Sequence, residues 1–178
     1  MNICFLSYSK SGGAGKATVK LFNSIKKKKI KCSHIFKIKD KRVNYVENFK
    51  EKINRHSQKF ERKKIDSFKS LSLFSYPLWK RINNSNFDIV HLTWINELLS
   101  IEDINKINKP IVWTLCDMWP ITGLNHYDNY KENALWKKKN FFKKKSFSLD
   151  RWLISRKIKS WKNINIVSPS KWLFECSK

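Results

Sequence analysis

The apolar and polar positions of this chain fall into two alternating periods. Residues 2–8, NICFLSY, form a short apolar run that stops at SKSGGAGK, and ATVKLFNSI then places Val19, Phe22 and Ile25 at helical spacing. Strand, glycine-rich loop and helix in that order make the first half of a βαβ unit. KCSHIFKI at 31–38 puts Cys32, His34, Phe36 and Ile38 on one face of a second strand. FDIVHLTWI at 87–95 reads as the next strand and ELLSIEDINKI as the helix after it. PIVWTLC at 110–116 is a further strand, and NINIVSPS near the end is a weaker one. SLDRWLISRKIKSW predicts a helix with Trp152, Ile154, Ile158 and Trp161 on one face and Lys and Arg on the other. Strands alternating with helices predict an α/β fold, a Rossmann-like parallel sheet with helices on both faces. Residues 40–86 and 128–161 are less regular, and no internal repeat or low-complexity linker interrupts the chain.

Composition narrows the picture further. A chain of 178 residues can bury one proper core but not two ordinary ones. Its 38 Lys and Arg against 14 Asp and Glu leave a net charge of +24, which favours anionic partners such as nucleic acid, acidic lipid headgroups or phosphorylated small molecules. Of the basic residues 32 are Lys and six are Arg. Fork-shaped recognition of phosphates and bases favours Arg, so a merely solvated lysine surface stands level with an anion-binding one. The runs KKKK at 26–29 and KKK at 137–139 and 143–145 interleave with Phe and Trp, a composition shared by membrane-surface helices and single-strand binders. No RNP-type, KH or zinc-finger pattern accompanies them, which makes nucleic acid the lesser partner. The four cysteines are widely spaced and form no CxxC pair, so neither a zinc site nor a redox motif is expected. The N-terminus lacks the pattern of a signal peptide, and no apolar stretch is long enough to span a bilayer. These features suit a cytoplasmic protein whose membrane contact, if any, is peripheral.

Candidate chemistry gathers at strand ends. The loop SGGAGKAT is not a P-loop, because Lys10 stands five before Gly15 and Ala17 follows Lys16; nor is it GxGxxG, because Thr18 takes the third glycine's place. Gly12, Gly13 and Gly15 serve either a tight turn or the approach of backbone N–H groups to an anion at a helix N-terminus. His91 lies inside a strand, where a satisfied core histidine is the simpler reading. Asp117 follows a strand and either orients a sugar hydroxyl or caps the next turn. His126, in a loop beyond Gly123, is placed to position a substrate or exchange protons. Trp94, Trp113 and Trp119 are either platforms for a sugar face or core residues. Spacing justifies no Ser-His-Asp or Cys-His pairing.

Taken together and in order, SGGAGKATVKLFNSI, FDIVHLTWIN, KPIVWTLCDMWPITGLNHY and VSPSKWLFECSK resemble the amino-terminal domain of family 4 glycosyltransferases, the kind found in bacterial exopolysaccharide, colanic-acid-like and O-antigen clusters. The similarity runs from one end of the chain to the other, is weakest between about 40 and 75, and has its most specific part at the DMWP-TG-HY pattern. Such enzymes pair two Rossmann-like lobes in the GT-B arrangement and transfer a sugar from a nucleotide-sugar donor with retention, without a metal or other cofactor. The resemblance implies that this chain is the acceptor-side lobe of such an enzyme, for a glycan or lipid-linked acceptor, without the nucleotide-binding lobe. It places Gly12, Gly13 and Gly15 near the donor diphosphate and acceptor, and His91, Asp117 and His126 on the cleft side. Asp117, His126 and Cys116 are then the catalytic candidates, and Trp94 and Trp119 the substrate-binding ones. Two departures stand out: the family usually has His where this sequence has Cys116, and the Cys residues that often follow the HY pair are replaced by DNYKENALW. The alternative is a non-catalytic basic protein built on a degenerate lobe, binding nucleic acid or anionic membrane.

Overall fold

A computed structural model describes residues 1–36, 69–75, 77–127 and 148–177. Five parallel strands form one sheet among these residues: β1 (Asn2–Ser7), β2 (Lys31–Phe36), β3 (Ile89–Leu92), β4 (Ile111–Thr114) and β5 (Ile164–Val167). Their order across the sheet is β2-β1-β3-β4-β5. The fold is therefore α/β and Rossmann-like, in the doubly wound order whose switch point lies between β1 and β3. β1 is buried along its whole length, as a strand covered on both faces must be, which explains its unbroken apolar run. Register sets Phe5 opposite both His34 and His91, and Leu6 opposite Leu92.

Helices cover both faces. α1 (Gly12–Lys27) lies on the face that carries Phe5 and His91: Phe22 packs edge-on against Phe5, and Thr18 Oγ1 donates to Thr93 Oγ1 at 2.8 Å. The other face, with Cys4, Leu6, Val90, Leu92 and Trp113, builds the main core with α2 (Leu78–Asn83), α3 (Ile101–Asn105) and α4 (Leu149–Ser160). A last helix, α5 (Lys171–Ser177), follows β5 and inserts Leu173 and Cys176 into that core.

Two expectations are corrected. The helix after β3 is only five residues long, because Glu97 takes a positive φ of 63° and the helix starts at Ser100, whose hydroxyl accepts from Asp103 N. In α4 the buried positions are Leu153 and Lys157, while Trp152 and Ile158 point outward. Trp152 instead lies under the Arg156 guanidinium, which forks onto Glu102 of α3 at 2.7 and 2.6 Å. Ile38 and the runs KKKNFFKKK lie outside the described residues. Among the described residues no helix is long and apolar enough to cross a membrane.

Candidate functional site

Three loops meet at the carboxyl edge of the sheet. The turn after β1 is shaped by hydroxyls: Ser7 Oγ donates to Ser9 O, and Ser11 N donates to Ser9 Oγ. Gly12 opens α1 at φ 73°, a region open to glycine. Gly15 is required for a different reason, since a Cβ there would sit 2.6 Å from both Lys10 C and Ser9 O. Gly13 has open space around it. The turn is tied to the loop after β3 by Tyr8 N donating to Trp94 O at 2.7 Å, with the two rings edge to face.

The loop after β4 doubles back on itself. Asp117 Oδ1 accepts from Trp119 N at 3.0 Å, two residues before a short 3-10 turn at Trp119–Ile121 whose N-cap position is Met118. Met118 N donates to His126 O, and this return brings His126 onto Asp117. His126 Nδ1 donates to Asp117 Oδ2 at 2.5 Å, and Trp94 Nε1 donates to the same oxygen at 2.8 Å. Three donors thus converge on one carboxylate. With Nδ1 committed to Asp117, His126 Nε2 takes the amide N–H of Asn96 Nδ2 at 2.9 Å and lies 2.9 Å from Ser70 Oγ. Ser70 is held in turn, its N donating to Leu124 O and its carbonyl accepting from Trp119 Nε1.

Beneath this loop lies Lys157, 3% exposed. Its Nζ donates to the carbonyls of Trp119 (2.5 Å), Thr122 (3.0 Å) and Gly123 (2.9 Å) and faces the Trp119 ring at 3.8 Å. Burial pushes this amine well below the ordinary lysine value, opposed by the charges of Asp117 and Asp150. Three carbonyl acceptors match the three N–H groups of an ammonium, and the ring face adds to its stabilisation. Gly123 has no room for a side chain, because a Cβ would meet Asp150 Oδ1 at 2.4 Å.

No family model, curated protein or solved structure matches the chain.

Asp117 and His126 come together as a bonded pair, 7% and 1% exposed. The order Asp117, His126, Ser70 has the outline of a hydrolase relay, yet Ser70 is 1% exposed and its hydroxyl, amide and carbonyl are all engaged inside the core. The network fixes a loop; it offers no nucleophile to solvent. Cys116 lies beside it, half-buried, with its thiol donating to Thr114 O. Burial, and then the neighbouring Asp117 charge, push that thiol up to about 11, so it is not a thiolate at neutral pH. His91 sits within the sheet rather than at an open mouth: it packs on Phe5, its Nε2 meets Thr114 Oγ1 at 2.8 Å, and burial lowers it to about 4. Trp119, expected as a platform, is a core residue, with one indole face under Lys157 and its N–H given to Ser70 O. Trp94 remains half-buried at the edge, and Gly12 and Gly13 are exposed. Ser70, Asn96 and Lys157 were not singled out by the sequence. Among the described residues no group of three His, Cys, Asp or Glu is placed to hold a metal ion.

Proposed function

We propose that this chain is the acceptor-side lobe of a retaining GT-B glycosyltransferase that builds envelope polysaccharide, moving a sugar from a nucleotide-sugar donor to a glycan or lipid-linked acceptor. The observation that supports it best is the meeting of the Gly12–Gly13 turn, the Trp94 loop and the Cys116–His126 loop at the carboxyl edge of a doubly wound sheet, beside its switch point. The resemblance of these same segments to family 4 glycosyltransferases adds the reaction class.

In this reading the accessible groups, Gly12, Gly13, Trp94 and Cys116, face the acceptor, and Asp117 and His126 act from behind as positioning residues. The reaction uses no protein nucleophile. Departure of the diphosphate is stabilised by backbone N–H groups and positive charge, with most of the donor contacts made by a second lobe. A transfer assay tests this: with nucleotide sugars and lipid-linked acceptors, the 178 residues alone give no product. Robust transfer by this chain alone would overturn the one-lobe reading. A second reading, a non-catalytic basic binding protein on the same lobe, is favoured by the exterior of α1, whose charged residues are all lysine.

A further inference from the structure

No Asp or Glu occurs in the first 36 residues, while eight lysines do: Lys10, Lys16, Lys20, Lys26, Lys27, Lys28, Lys29 and Lys31. All eight side chains are exposed. Lys16, Lys20 and Lys27 recur along one side of α1, spanning about 16 Å of helix at 1.5 Å per residue. With Lys10, Val19, Asn23 and Ser24 they line a shallow groove of about 480 Å³. The opposite side of the helix, through Gly15, Thr18 and Phe22, is committed to the sheet. Among the described residues Asp88, Glu102, Asp103 and Asp117 form ion pairs with groups outside α1.

We propose that this face of α1 docks the protein on an anionic membrane, with lipid phosphates as its counter-charges. Several lysines on one helix face carry that signature, since each contributes through a compact, strongly hydrated charge and needs no fixed partner geometry. Nucleic acid is the poorer match. Among the described residues the face has no arginine fork for base edges and no fully exposed ring for base stacking, Phe22 being turned inward against Phe5 and His34 and the half-buried Phe36 ring being covered by Lys10. Val19 is the one apolar side chain in the groove, so contact is adsorption without insertion. The docking holds whether or not the glycosyltransferase reading does. If both hold, α1 lies flat on the bilayer with the sheet stacked above it, and the Gly12–Gly13 turn opens at the rim, where a lipid-linked acceptor arrives sideways.

Vesicle flotation of the whole chain tests the inference. One set of vesicles is phosphatidylcholine alone, and the other carries about 30 mol% phosphatidylglycerol. The triple variant Lys16→Glu, Lys20→Glu, Lys27→Glu is compared with a control of equal charge change, Lys159→Glu, Lys162→Glu, Lys171→Glu, and far-ultraviolet circular dichroism confirms that both are folded. The expected result is binding to the anionic vesicles only, weakened on the order of 100-fold or more by the α1 triple and far less by the control, and lost at about 0.5 M salt. Equal loss in both triples would overturn the inference, as would binding to neutral vesicles or no binding at all. So would displacement of the vesicles by duplex or single-stranded DNA held through the same three lysines, which would make the face a nucleic-acid surface. The assay requires no sugar transfer, so its failure and that of the proposed function are separable. Should α1 resist triple reversal, the single variant Lys20→Glu serves, with an expected loss of about tenfold.

Discussion

Replacing Asp117 by Asn changes one atom and tests whether the buried network carries the loop after β4. In the native chain Oδ2 accepts from His126 Nδ1 and Trp94 Nε1, and Oδ1 accepts from Trp119 N. An amide keeps one acceptor and sets two N–H groups where the other stood. If its oxygen takes the Oδ2 place, Trp119 N faces a donor and loses its partner, at a cost of about 1–3 kcal/mol for a buried group. The two remaining bonds also lose their charge assistance, which adds about 1 kcal/mol between them. The alternative orientation strands two donors and costs more. Asp117→Asn is therefore expected to lose about 3 kcal/mol, a fall of about 1.5 M in urea midpoint at a slope of about 2 kcal/mol/M. Tryptophan fluorescence reports the transition, since Trp94 and Trp119 pack on His126, and Trp113 and Trp161 pack on Trp119. A double-mutant cycle with His126→Gln should show coupling of about 1–2 kcal/mol, because each change alone strands the other partner. A loss under about 0.5 kcal/mol for Asp117→Asn, or strictly additive effects, would refute the view of the network as the support of the loop.

The His91 ring, lowered from 6.5 to about 4 by burial, contributes stability that is intact above pH 6.5 and is lost as pH falls toward 4. His91→Gln should remove about 3 kcal/mol of the acid-induced loss measured between pH 7 and pH 4, and identical pH profiles would count against it. Gly15→Ala should destabilise by about 2 kcal/mol or more in denaturant titrations, since its Cβ would press on backbone atoms of Ser9 and Lys10, whereas Gly13→Ala, in open space, should gain about 0.5 kcal/mol. Lys157→Met leaves three buried carbonyls without a donor and should lower stability by about 3 kcal/mol, seen as a fall in Tm of about 6–12 °C; a neutral outcome would show that water replaces the ammonium.

The sheet was legible because strand and helix periods alternate cleanly: all five strands fall within the apolar runs that predict them, whereas α1 starts earlier than its run, with Gly12, Gly13 and Gly15, expected as a loop, inside the helix. The errors share a cause. In α4 a lysine was read as surface and two apolar side chains as core, yet Lys157 is buried because carbonyl groups of the 119–123 loop converge on it, which no local pattern encodes. Trp152 is outward because it serves as the base for an arginine fork. Asp117 and His126 were recognisable as polar residues in an aromatic loop. Their contact depends on the chain returning across Met118, and their partners Ser70 and Asn96 come from 56 and 30 residues away. Ser70 sits in KSLSL, a stretch with no motif to mark its hydroxyl as an internal partner.

The proposed acceptor site is the carboxyl edge formed by the turn after β1 and the loops after β3 and β4. Its most direct test is a backbone amide NMR titration of the 178-residue chain with a short-chain lipid-linked glycan and, separately, with a nucleotide diphosphate sugar. Saturable shifts confined to Gly12, Gly13, Trp94, Cys116 and their neighbours are expected with the glycan, and markedly weaker binding of the nucleotide sugar. Shifts elsewhere on the surface, or none at any glycan concentration while the nucleotide sugar binds at that edge, would contradict the proposed site.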